Sequence, residues 1–171
     1  DVAAKVVVST QQRVGAGGVG ALRGAIGHCL QNAIRRTATV LAPNGWRALM
    51  TLDRSVIEQL VPQAGPMCFL DSVTHWDAHS IICSAPAPDE NHPLLRSGKV
   101  PAIVAAEYAA QASALHGALL DAATTPRAGM LAKLSDVEVH CAWFPTDERR
   151  LSLQATLISR TLGGCLYSFD V

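Results

Sequence analysis

The sequence predicts an α+β fold in which an antiparallel sheet wraps one long central helix rich in alanine. Three observations carry this. After Pro101 an apolar segment, AIVAAEYAAQASALHGALLDAA, runs for 22 residues with Gly117 as its only breaker. Alanine is the strongest helix former, and a helix apolar on nearly all sides is buried rather than laid on a surface. Short strand-like stretches bounded by turn residues precede and follow it. Two strands, a helix and then three strands, with the helix on one face, make an α+β layer.

Taken in order, Ser55 to Leu60 reads as a short helix ended by Pro62 and by Gly65-Pro66. Met67 to Trp76 and Ser80 to Ala87 read as strands joined at Asp77-Ala78-His79. A loop containing Pro86, Pro88, Asp89, Asn91 and Pro93 leads to Val100. Pro101 opens the central helix, where a missing N–H costs nothing. Thr124 to Gly129 closes it. Met130 to Phe144 is the third strand, with Val137, Val139, Cys141 and Trp143 on one face and His140 on the other. Arg150 to Leu162 and Cys165 to Val171 are the last two, turning at Gly163-Gly164.

Composition narrows the classes of function. At 49% hydrophobic and 16% charged, the 171-residue chain can bury a core and is not a disordered tail. Zero formal net charge argues against nucleic-acid binding. No apolar run spans a bilayer and no signal-peptide pattern is found, so a cytoplasmic protein is expected. Five cysteines at wide spacing, with no C-x-x-C pair, suggest reduced, buried thiols and no metal site.

Charge divides the chain. Residues 1–49 carry six Lys/Arg and one acid, and residues 50–171 carry eight Lys/Arg and thirteen acids. Val6-Val7-Val8 has strand character, and Ala21 to Leu41 has helical spacing at Leu22, Ile26, Leu30 and Ile34. Gly15 to Gly20 reads GAGGVG, but neither a βαβ unit nor an acid about 20 positions later follows, so the dinucleotide reading fails. The segment also has the Arg-rich, acid-poor look of a transit peptide. The simpler expectation is an N-terminal extension, 1–49, dispensable for a domain of residues 50–171 that starts at Met50.

The segment Pro101-A-I-V-A-A-Glu107-Tyr108-A-A-Gln111 resembles the central-helix motif of the 3-hydroxyacyl-ACP dehydratases of fatty-acid synthesis. Upstream, Pro66-Met67-Cys68-Phe69-Leu70-Asp71 resembles that family's first strand. The G-P-M-x-x-L-D start, the Asn–Pro loop ending Leu95-Arg96-Ser97-Gly98 and the E-Y-x-A-Q helix together resemble most the hotdog dehydratases of aryl-polyene gene clusters, from Leu60 to Val171. The resemblance implies a hotdog fold, dimerisation, and acid and base drawn from different chains. It also implies an acyl substrate carried on the phosphopantetheine of acyl carrier protein or on coenzyme A, with no further cofactor.

Dehydration of a 3-hydroxyacyl thioester takes a proton from C2 and delivers one to the departing 3-hydroxyl. Glu107 suits the acid, because a carboxylic acid buried on an apolar helix keeps its proton more readily than one in water. An unpaired glutamate in AIVAAEYAAQA is costly, so it has a purpose or a partner. Gln111, one turn on, can orient the carboxyl. Backbone N–H groups at the helix start, the stretch opened by Pro101 and Ala102, can hold the thioester oxygen as negative charge builds on it. The family's H-F-P-G histidine is missing. His92, fifteen positions before Glu107, and His116, nine positions after it, are the candidate bases. Arg96 and Lys99 flank the expected tunnel entrance, where cations suit an acidic carrier protein. Two alternatives stand beside the dehydratase. One is a hotdog acyl-CoA thioesterase, in which Glu107 activates water. The other is a silent hotdog subunit in a dehydratase heterodimer, favoured by the missing H-F-P-G.

Overall fold

The structure, a computed structural model, describes residues 7–10, 51–126, 129–161 and 164–171. The GAGGVG run, the expected helix over 21–41, Cys29 and the turn residue Gly163 lie outside the described residues.

Among the described residues one antiparallel sheet has the strand order β2-β3-β4-β6-β7-β1-β5. The strands are β1 (Val7–Thr10), β2 (Leu52–Asp53), β3 (Ser72–Trp76), β4 (Ser80–Pro86), β5 (Leu131–Ser135), β6 (Arg150–Thr161) and β7 (Gly164–Asp170). Its inner face is written in period-two alternation. Ile81, Cys83 and Ala85 of β4, Leu153 and Ala155 of β6, and Cys165, Tyr167 and Phe169 of β7 are buried. Register stacks them in rows, with Ile81 opposite Ala155 and Ala155 opposite Phe169.

Helix α1 (Arg54–Ile57) is started by Asp53, whose carboxylate accepts from Val56 N at 3.2 Å. The main helix α2 (Ala105–Leu120) follows a 3-10 turn, Ala102–Val104. Twelve of its sixteen residues are buried, so it is a core helix and not an amphipathic one. Its alanines let the backbone lie close to β4 and β6. Tyr108, Leu115 and His116 fill the gaps left between.

Two expectations change. The strand expected from Met67 begins at Ser72, because Gly65–Met67 form a 3-10 turn with Gly65 at φ 56°. The strand expected over Met130 to Phe144 ends at Ser135. Asp136 at φ 53° breaks it, and the chain crosses the start of the central helix instead. There Phe144 N donates to Val100 O at 2.9 Å and Ala102 N to Ala142 O at 3.0 Å. Val139 and Trp143, expected on one face of that strand, are each 39% exposed. β1, which lies within residues 1–49, pairs with both β5 and β7.

Cysteines 68, 83 and 165 are buried and Cys141 is half-buried, all with free thiols. Burial pushes the Cys83 thiol up to about 12. Among the described residues no helix is long and apolar enough to cross a membrane.

Candidate active site

Glu107 lies in the first turn of α2, partly buried. Its Oε1 accepts from Gln111 Nε2 at 3.0 Å and from Gln63 Nε2 at 3.2 Å. No described residue hydrogen-bonds its Oε2. Gln111 is fully buried and fully used: its Nε2 also donates to Met67 O at 2.8 Å, and its Oε1 accepts from Phe69 N at 2.8 Å. The side chain thus stands in for a strand partner of segment 67–69 and hangs that segment on the helix. Gln63 arrives from the loop after α1, a loop shaped by Arg54, which donates to Gly65 O at 3.0 Å and Cys68 O at 2.9 Å.

His92 is placed elsewhere. Consecutive helical residues point about 100° apart, so Tyr108 leaves α2 in a different direction from Glu107. His92 belongs to Tyr108's side: its Nε2 is 3.3 Å from the Tyr108 hydroxyl, and its ring packs on Phe69 at 4.7 Å between centroids. Leu94 N donates to His92 Nδ1 at 3.2 Å. That bond occupies the Nδ1 lone pair, so the neutral ring carries its proton on Nε2 and donates to Tyr108. Burial holds the imidazole below its ordinary value, with Asp89 opposing. Burial likewise pushes the Tyr108 phenol up. An open cleft of about 180 Å³ lies here, lined by Arg54, Phe69, Asp89, Asn91, His92 and Tyr108 among others. Glu107 does not line it.

His116 is fully buried on the far side of the helix. Its Nε2 donates to Asp77 O at 2.8 Å, and its Nδ1 accepts from the Tyr167 hydroxyl at 2.9 Å. Both ring nitrogens are spent on tying α2 to the β3–β4 turn and to β7. The N–H of Ala102, expected at the thioester oxygen, is spent on Ala142 O, and Pro101 forms a bridge with Trp143. Arg96 and Lys99 face each other across a two-residue turn, bonded both ways at 2.7 and 3.0 Å. Ser97 at φ 50° and Gly98 at φ 77° supply the positive φ values such a turn needs. Both cationic side chains are exposed.

The structure therefore brings Glu107 and Gln111 together, while His92, His116, Arg96 and Lys99 have other hydrogen-bond partners. Sequence reasoning missed Tyr108 and Gln63. Tyr108 has a visible signal, since it stands inside the E-Y-x-A-Q motif. Gln63 has none: it reaches Glu107 across 44 positions of chain. Among the described residues no three His, Cys, Asp or Glu side chains gather as a metal-binding group.

An antiparallel sheet wrapped on one buried helix, with a carboxyl held by amides at the helix start, defines a hotdog-fold protein. A solved structure, the dehydratase heterocomplex ApeI:P from Xenorhabdus doucetiae, shares the fold with a TM-score of 0.55 at 20% identity, covering 67% of this chain and 86% of that one. No curated protein matches the chain. The model of the ApeP-like family, ApeP dehydratase, matches residues 55–170, and the chain belongs to that family.

Proposed function

We propose that the protein dehydrates a 3-hydroxyacyl thioester presented on the phosphopantetheine arm of an acyl carrier protein, in aryl-polyene or fatty-acid-like synthesis, together with a second hotdog subunit. One observation carries this: two amides hold Glu107 by Oε1 alone, so Oε2 is left to carry the proton. In the reaction the C2–H bond breaks toward a base and its electron pair forms the C2=C3 double bond. The C3–O bond breaks as Glu107 delivers its proton to the departing oxygen, which leaves as water. The proton on the base then returns to the carboxylate, through solvent, to reset the site. His92 is the candidate base. It must exchange its bond from Leu94 N for the C2 proton, and a neutral hydrogen bond is worth only about 1 kcal/mol net. His92 makes no hydrogen bond to Glu107 within this chain, so the base that faces this acid is supplied by the partner and this chain's His92 faces the partner's acid, in keeping with the heterocomplex of the related structure.

A second reading is favoured by the same Leu94–His92 bond: a chain whose histidine is already engaged and which shapes a partner's active site without chemistry of its own. Purified protein, alone and mixed with a hotdog partner, is to be given 3-hydroxyacyl-ACP while enoyl product and free thiol are followed separately. Enoyl formation that is lost with Glu107→Gln supports the dehydratase. Thiol release without enoyl product makes the protein a thioesterase. Full activity of the mixture with Glu107→Gln makes this chain the silent subunit.

A further inference from the structure

Three N–H groups at the start of α2, where a hold on the thioester oxygen was expected, are spent within the chain. Ala102 N donates to Ala142 O, Val104 N to Pro101 O, and Ala105 N to Ala102 O and Ile103 O. Tyr108 offers a different donor. Its ring is buried and pinned between Phe69, with centroids 4.7 Å apart, and Phe144, at 5.9 Å. A pinned ring fixes where its hydroxyl sits. That hydroxyl is bonded to His92, and both residues line the cleft. The polarity of the bond follows from the tautomer. Leu94 N–H occupies Nδ1, so Nε2 carries the ring's proton and the phenol oxygen accepts it. The Tyr108 O–H is then left without an acceptor among the described residues. A hydroxyl proton unused at the wall of a cleft is free for whatever the cleft receives.

We propose that Tyr108 is a catalytic residue whose O–H donates to the thioester oxygen of the substrate, with the phenol oxygen held and polarised by His92 Nε2–H. This rests on the reading that the His92 cleft receives the acyl thioester. As the C2 proton moves to His92 Nδ1, in place of the bond from Leu94 N, negative charge builds on the oxygen of the neighbouring thioester carbon. Nε2 keeps its own proton throughout, so the bond to Tyr108 is made before and after the transfer. The imidazolium is a stronger donor than the imidazole, and one donor in a chain strengthens the next. Tyr108 thus pulls hardest on the thioester oxygen when that oxygen is most negative, and an interaction stronger in the transition state is the kind that lowers a barrier. The phenol gives up no proton of its own, because burial, with the charge of Asp89 adding to it, holds its pKa above the ordinary value. A base at C2 and a donor at the adjacent carbonyl oxygen are the pair that proton abstraction beside a carbonyl requires, and both stand on one cleft.

The test uses the full chain with its partner subunit. Tyr108→Phe keeps the ring and removes the hydroxyl. Dehydration of 3-hydroxyacyl-ACP should fall about a hundredfold in kcat, the weight of one lost oxyanion donor. The deciding measurement is the infrared carbonyl band of a bound saturated acyl-ACP, isotope-labelled at the thioester carbon, which cannot react. A hydrogen bond weakens C=O, so the band should move to higher frequency in Tyr108→Phe than in the wild-type pair. His92→Leu leaves the phenol in place and removes the N–H behind it, so the band should move part of the way. That second variant decides the matter even if Tyr108→Phe does not fold. A band that stays at its wild-type position in either variant, with kcat lowered, means that Tyr108 only steadies His92. The donor assignment is then wrong while the dehydratase reading stands. If His92→Leu and Glu107→Gln both dehydrate at the wild-type rate, the cleft is not where the thioester reacts, and the role of Tyr108 falls with that reading.

Discussion

At the residue scale, each polar group on α2 has a different task, and the hydrogen-bond partners tell them apart. Glu107→Gln keeps shape and bonding but removes the transferable proton, so dehydration should fall by about two to four powers of ten. Thermal stability should hold, and a steady-state assay beside a melting curve checks both. His116 should behave in the opposite way. His116→Leu strands the buried Tyr167 hydroxyl and the Asp77 carbonyl, at roughly 1–3 kcal/mol for each group left unpaired. The melting temperature should drop while kcat stays within a few-fold. Adding Tyr167→Phe removes the stranded hydroxyl, so the double variant should be less destabilised than the two single changes summed. A dead His116→Leu with an unchanged melting curve would move the base onto the central helix. The same residue sets a pH dependence. Burial holds His116 below its ordinary value, against the pull of the Asp77 carbonyl, and His92 is lowered by burial too. The unfolded chain therefore binds more protons than the folded one below about pH 6.5, the ordinary histidine value. Stability should be full above that pH and decline as the pH falls through it. Denaturant midpoints at pH 5 and pH 8 measure the sign, and His116→Leu should flatten the difference.

At the element scale, the sequence read well wherever a single pattern decided the outcome. Alanine content and Pro101 place the helix, and alternation in SIICSAP and LSLQATLIS places β4 and β6, because burial follows period two along β4 and along β6 as far as Ala155. Reading failed where two patterns competed. The run VEVHCAWF alternates as a strand does, but Asp136 in the left-handed region turns the chain away, and bonds to Val100 and Ala102 fix it over the helix start. The site was half legible for a similar reason. Glu107 and Gln111 sit on one helix at a fixed spacing, whereas Gln63 meets them only through a loop whose path Arg54 sets, and no local spacing encodes that. The placement of β1 bears on the expectation that residues 1–49 are dispensable. Val7–Thr10 pairs with β7 on one side and β5 on the other, so it is the link by which β5 joins the sheet. A chain beginning at Met50 should keep the ladder from β2 to β7 and lose the pairing of β5, leaving β7 as an open edge. Hydrogen exchange on that shortened protein is the measurement. Fast exchange confined to residues 131–135 and 164–170 is expected, and full protection there would show that the sheet closes without β1.

At the scale of the molecule, four of the six large apolar side chains exposed among the described residues belong to segments near the site, Met130 and Ile158 being the other two. Trp143 and Val139 are each 39% exposed, Ile103 is 52% exposed and Met67 is 36% exposed. They are not scattered. The Pro101–Trp143 bridge and the Ala102–Ala142 bond bring Trp143 beside the 3-10 turn that holds Ile103, one helical turn before Glu107. Met67 belongs to the segment that Gln111 hangs on the same end of α2. Single exposed apolar residues are ordinary, but a rim of them around the Glu107 carboxyl is a surface on which another chain is expected to sit. The separation of Glu107 from His92 points the same way, since a site needing both acid and base must borrow one. Association through this end of the helix is therefore expected, either with a second copy, giving twice the 18.0 kDa chain mass, or with a different hotdog subunit. Trp143→Asp places a charge in the centre of the rim and should shift the sedimentation profile toward monomer. The melting curve of the isolated chain should change little, because Trp143 is only partly packed. Dehydration should fall together with association and recover at high protein concentration. A chain that sediments as a monomer at micromolar concentration, alone and with a hotdog partner, and is nonetheless fully active, would place acid and base within one protomer and remove the need for any partner.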